Sequence, residues 1–108
     1  MPPLTPAVFH ILLALADEDR HGYAIMQEVS QRAGITLGPG TLYGTIKRLL
    51  ADGLIEESGH RPDPDLDDDR RRYYRLTPLG RRTASAEARR MADLVRVSRR
   101  KRLLEAAR

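Results

Sequence analysis

Apolar positions along the chain fall into blocks of two periods. Thr5-Pro6 offers a cap residue followed by proline at the first helical position. The spacing predicts a helix from there to about Ala16, stopped by the polar cluster Asp17-Glu18-Asp19-Arg20. With a helical period, Leu4, Val8, Ile11, Leu12 and Leu15 share one face. Phe9, Leu13 and Ala16 make a second apolar stripe on the far side. A helix apolar on two sides needs a large core or a second molecule, and this chain is too small for the former. Phe9 and Leu13 are therefore expected at a contact between copies.

A second helix is predicted from about Gly22 to Arg32, with Tyr23, Ile25, Met26 and Val29 as its apolar residues and Gly34 as its stop. Ile35-Thr36-Leu37-Gly38 reads as a turn, and Pro39 opens a third helix that runs to Asp52 and ends at Gly53. Leu42, Ile46, Leu49 and Leu50 give it an apolar face. The period then changes to two. Leu54–Ser58 and Arg71–Leu76 are predicted strands, the second placing Arg72, Tyr74 and Leu76 on one side and Arg71, Tyr73 and Arg75 on the other. The Gly59–Arg70 connection, with two prolines and five aspartates, reads as a solvated loop. Thr77-Pro78 repeats the helix-start signal, and a last helix runs toward Arg108 with a narrow stripe of Ala84, Ala88, Met91, Leu94, Val95 and Ser98. About 27 residues would span about 40 Å, more than a small domain can cover, so this stripe is expected to pack on a second copy.

The order is helix, helix, helix, hairpin, long helix. It predicts a mainly α fold with a small β-hairpin: a winged helix-turn-helix over residues 1–77 and a dimerisation helix over 78–108, together one structural unit. The 108 residues are enough for one domain and too few for two ordinary ones.

Composition removes several alternatives. The absence of cysteine excludes disulfide scaffolds, thiolate metal sites and thiol nucleophiles. The longest apolar run, Ile11 to Ala16, is far too short for a membrane span. The N-terminus lacks the pattern of a signal peptide, so a cytoplasmic protein is expected. Net charge is +4, unevenly distributed: ten of the 19 basic residues but three of the 15 acidic ones follow Leu76. Global basicity is a poor argument for nucleic acid here, so the local placement of cations must carry it.

Motifs for other chemistries do not complete themselves. Asp63-x-Asp65-x-Asp67 begins like a calcium loop, but Asp68 and Tyr74 stand where glycine and glutamate are needed. Gly38-Pro39-Gly40 lacks the lysine and hydroxyl of a phosphate loop. His10, His21 and His60 have no metal-ligand spacing and are expected as surface or capping residues. No enzyme activity and no cofactor are expected.

The informative element is the third helix. Its outer face collects Gly40, Thr41, Gly44, Lys47, Arg48 and Ala51, with Tyr43 at the margin. These side chains suit a DNA groove. A mid-helix glycine costs about 1 kcal/mol relative to alanine, which makes sense where the backbone must approach a partner closely. On the return strand Arg70, Arg71, Arg72 and Arg75 could reach phosphates or a minor groove, unless the aspartates just upstream pair with them. A protein-interaction module that uses the same helix face without DNA is the alternative reading.

Four stretches resemble the PadR-like family of transcriptional regulators in its short form: His21-Gly22-Tyr23; Leu37-Gly38-Pro39-Gly40-Thr41-Leu42-Tyr43; Leu49-Leu50-Ala51-Asp52-Gly53-Leu54-Ile55; and Arg72-Tyr73-Tyr74-Arg75-Leu76-Thr77-Pro78-Leu79-Gly80. The resemblance implies a homodimeric winged-helix repressor of double-stranded DNA operators, dimerised through its first and last helices. It puts Gly40, Thr41, Tyr43, Gly44, Lys47 and Arg48 at the major groove. Many members cap the third helix with serine where this chain has Gly38. Some short members hold flat drugs between tryptophans. This chain has no tryptophan, so a small-molecule effector, of unknown identity, would bind by another route.

Overall fold

The computed structural model describes residues 4–58 and 72–105. Helix α1 (Pro6–Ala14) is followed by β1 (Arg20–His21), α2 (Gly22–Ala33), α3 (Pro39–Ala51), β2 (Ile55–Glu57), β3 (Tyr73–Leu76) and α4 (Pro78–Arg100). The Gly59–Arg70 connection lies outside the described residues, as do Arg71 and residues 106–108.

Local chemistry sets the helix ends. The Thr5 hydroxyl accepts a hydrogen bond from the Val8 amide at 3.3 Å, with Pro6 at the first helical position. His21 caps α2 in the same way, its Nδ1 accepting from the Ala24 amide at 3.0 Å. The expected capping role of a histidine is thus met at His21. His10 departs from the expected surface or capping position: it is half-buried on α1, and its Nδ1 is enclosed with no hydrogen-bond partner among the described residues. Gly34 ends α2 at φ 67°, a left-handed conformation that glycine adopts without a side-chain clash.

Two-residue β1 was not legible in the sequence, because Arg20-His21 has neither length nor apolar alternation. It turns the expected hairpin into a three-stranded antiparallel sheet of order β1-β3-β2. Arg20 opposes Tyr74 and His21 opposes Tyr73, while Ile55, Glu56 and Glu57 oppose Leu76, Arg75 and Tyr74. Arg20 also donates through Nε to the Ala14 carbonyl at 2.7 Å, tying the end of α1 to the sheet edge.

The core is shared by α1, α2, α3, β2 and β3. Ile11 and Leu12 of α1, Ile25 and Val29 of α2, Leu42, Ile46 and Leu49 of α3, Ile55 of β2 and Tyr74 of β3 form one buried cluster. Leu50 is only half-buried at its edge.

The start of α4 locks onto β2. Thr77 Oγ1 accepts from the Gly80 amide at 2.9 Å and donates to the Gly53 carbonyl at 2.6 Å. A Cβ on Gly80 would overlap the Leu54 carbonyl oxygen, so only glycine lets the helix approach the chain there. Further along, Glu87 is buried against the body, accepting from Arg90 at 2.6 and 3.1 Å and from the Leu4 amide.

Beyond Glu87 no residue of α4 is buried. The helix ends at Arg100 rather than running on toward Arg108. Its end is a Schellman turn: the Leu103 amide donates to Ser98 at 2.8 Å and the Arg102 amide to Arg99 at 3.0 Å, with Arg102 at φ 64°. The protruding helix accounts for the elongated outline of 51 × 26 × 24 Å.

Candidate nucleic-acid interface

Amphipathicity aims α3. Burial of Leu42, Ile46 and Leu49 turns Gly40, Thr41, Gly44, Lys47, Arg48 and Ala51 outward, and all six are exposed. Gly38 supplies no side-chain hydrogen bond to the N-terminus of the helix, where Pro39 alone sets the geometry. Around Gly38, Gly40 and Gly44 the space where a Cβ would stand is empty to 4 Å. The outer face of α3 is therefore smooth as well as basic. Among the described residues, Lys47 and Arg48 have no ion-pair partner. Thr45, which sequence reasoning passed over, donates to the Thr41 carbonyl at 2.8 Å and so spends its hydroxyl within the helix.

Tyr43 sits differently from its neighbours. It is half-buried, and its ring lies so close to the α2 N-terminus that a Cβ on Gly22 would stand 2.7 Å from both its Cε1 and its hydroxyl. Two motifs far apart in sequence, His21-Gly22-Tyr23 and the start of α3, thus meet at one contact. Packing of this kind fixes the roll of α3 against α2.

On the wing, Arg72 and Arg75 are exposed and paired. Arg72 Nε lies 3.4 Å from Glu57 and Arg75 Nε 3.1 Å from Glu56, both across the β2–β3 ladder. Among the described residues, the partners are glutamates of the opposing strand; the loop aspartates lie outside those residues. These surface pairs are weak and open to exchange with other anions. Arg70 and Arg71 lie outside the described residues.

The predicted contact residues between copies divide by depth. On α1, Phe9 is buried within the single chain at 9% exposure, whereas Leu13 is 37% exposed. On α4, Ala84 packs against the core edge and Met91 is half-buried, while Ala88, Leu94 and Val95 are exposed. Ser98 is not part of an apolar surface in the strict sense, since its hydroxyl donates to the Leu94 carbonyl at 2.8 Å. The Schellman turn adds two residues that periodicity missed, Leu103 and Leu104, at 77% and 47% exposure. Among the described residues, no helix is long and apolar enough to cross a membrane and no cluster of side chains could hold a metal ion.

Comparison with known proteins gives a consistent match. A family model described as the transcriptional regulator PadR-like family covers residues 11–86. The chain is 41% identical over 87 residues to the transcriptional regulator Rv3488 of Mycobacterium tuberculosis, covering 81% of this chain and 77% of that protein. It is 44% identical over 87 residues to an uncharacterised 37.1 kDa protein in transposon TN4556 of Streptomyces fradiae, spanning 78% of this chain but only 22% of that longer protein. Among solved structures, a PadR family transcription regulator from Clostridium difficile R20291 superposes with a TM-score of 0.72 at 26% identity, over 86% of this chain and 94% of its own. A family of transcriptional regulators fits a site of exposed cations and glycines. The chain belongs to the PadR-like family of transcriptional regulators.

Proposed function

We propose that the protein is a sequence-specific DNA-binding repressor that acts as a homodimer on a palindromic operator. Residues 1–77 bind DNA and residues 78–108 join the copies. The observation that carries this reading is the outer face of α3, where Lys47 and Arg48 stand unpaired among described residues beside the open strip at Gly40 and Gly44. A solvated helix face needs no such glycines, and they weaken the helix. A groove-entering helix gains from them, because its backbone can approach the duplex.

In this reading α3 enters the major groove. Thr41 reaches a base edge or phosphate, Lys47 and Arg48 contact phosphates, and Arg70, Arg71 and Arg72 reach the flanking backbone. Tyr43 acts mainly by holding α3 against α2, with its phenol at the edge of the interface. The copies join through Leu13, Ala88, Met91, Leu94 and Val95, with Phe9 and Ala84 packed behind them. The exposed apolar stripe on a helix that outruns its own domain supports that pairing. Two α3 helices would then meet successive major grooves about 34–36 Å apart.

The test is a salt series of binding to the DNA upstream of the protein's own gene. Six to eight phosphate contacts per dimer predict a log–log slope of about −5 to −7. Lys47→Ala should weaken binding to every sequence and flatten the slope by about one unit. An unchanged slope removes Lys47 from the phosphate contacts, and no retardation even at low salt leaves the protein-interaction alternative.

A further inference from the structure

Beside α3, facing β3, lies a groove of about 490 Å³ lined by Tyr43, Ile46, Lys47, Leu50, Arg72 and Tyr74. That volume is in the range of small-molecule sites. The floor is apolar and fixed: Ile46 and Tyr74 belong to the core, at 2% and 4% exposure, and half-buried Leu50 borders it. Tyr43 forms a wall held in place by its contact with Gly22. The rim is cationic. Among the described residues, Lys47 has no ion pair and Arg72 pairs only with Glu57, at 3.4 Å and with both side chains more than half exposed. Among the described residues, no carboxylate lines the groove itself.

A dry floor under two cations selects for charge and shape together. An inorganic anion would leave the apolar floor unfilled, and a neutral apolar molecule would leave the cations unanswered. A second cleft, of about 390 Å³ and lined by Glu18, Asp19, Arg20, His21, Ala24 and Tyr73, has two carboxylates at its edge and would repel the same ligand.

We propose that the groove between α3 and β3 binds a small amphiphilic anion, with its apolar body over Ile46, Leu50 and Tyr74 and its charged head between Lys47 and Arg72. The ligand and operator DNA exclude each other, because the head occupies cations that would otherwise meet phosphates. The exclusion rests on the DNA-binding reading above; occupancy of the groove does not. Regulation would then work by direct competition at the reading helix, without a conformational signal from the contact between copies.

The probe is naphthalene-2-sulfonate, with neutral naphthalene-2-sulfonamide as its matched control, titrated into the full chain and followed by amide shifts in ¹H–¹⁵N NMR. The sulfonate should shift amides of residues 43–50 and 72–76 and leave 18–24 unmoved. It should bind at least about tenfold tighter than the sulfonamide, the worth of one charge-assisted hydrogen bond. The double variant Lys47→Gln, Arg72→Gln, both sites being exposed, should keep its melting behaviour and lose that preference. Shifts confined to Leu94–Leu104, equal binding of the two probes, or a preference that survives in the double variant would each overturn the site. In a second arm the sulfonate should release the bound duplex in proportion to groove occupancy. Groove binding with undiminished duplex binding overturns the exclusion. Groove binding by a chain that never binds duplex overturns the DNA-binding reading and leaves the groove assignment standing.

Discussion

Gly44→Ala separates what the fold prefers from what the interface requires. In the free protein, nothing lies within 4 Å of the position a Cβ would take at Gly44. The residue is inside a helix that runs five residues to its N-terminal side and seven beyond it, so the helix gains the full difference in propensity. That difference is about 0.8–1 kcal/mol. For a domain of this size it corresponds to a rise in Tm of about 4–8 °C. The same methyl stands on the strip that would face the duplex. If the α3 backbone sits in the groove, steric overlap of about 1 kcal/mol per half-site weakens dimer binding on the order of 30-fold. Thermal melts at fixed protein concentration and gel retardation at fixed salt measure the two effects. The two effects should have opposite signs: a more stable protein and weaker binding. A lower Tm would refute the open space around Gly44, and unchanged affinity would refute close approach of the helix to DNA.

Gly80→Ala should act in the opposite direction on stability, because its methyl meets the backbone carbonyl of Leu54, which cannot turn aside; a loss of about 3 kcal/mol or more is expected in urea melts. Glu87→Gln tests the buried carboxylate. Its hydrogen bond from Arg90, against the opposing effect of burial and with help from that charge and the Leu4 amide, lowers its pKa below the ordinary 4.5. The stabilisation by the ionised group is therefore full above pH 4.5 and is lost as pH falls through the lower folded value, so the stability gap between wild type and variant should narrow only on acidification. Arg102→Gly should raise stability by up to about 1 kcal/mol, since Arg102 holds a left-handed conformation that costs glycine little; a fall would show that the Arg102 side chain makes a contact of its own. In the proposed homodimer, Leu94→Glu should give monomers in analytical ultracentrifugation while leaving the fold of each copy intact, because Leu94 is 53% exposed within one chain.

Capping signals and helical periodicity are local, and they placed three of the four helix starts within the sequence itself. Thr5-Pro6, Pro39 and Thr77-Pro78 begin α1, α3 and α4 because proline has no amide to lose at a helix start. Burial of Leu42, Ile46 and Leu49 likewise follows from spacing, and with it the outward set from Gly40 to Arg48. What the sequence alone could not decide depends on residues distant along the chain. Strand β1 exists only because β3 offers it an edge, and two polar residues carry no period of their own. Tyr43 looks free for a partner until α2 brings Gly22 against its ring, and Phe9 looks like a contact between copies until folding buries it in its own chain. Gly80 reads as a weak residue in a helix until the carbonyl of Leu54 arrives beside it. Period and caps fix which side of an element is apolar; only the tertiary arrangement fixes what that side meets, because burial is a property of the neighbours that a fold supplies.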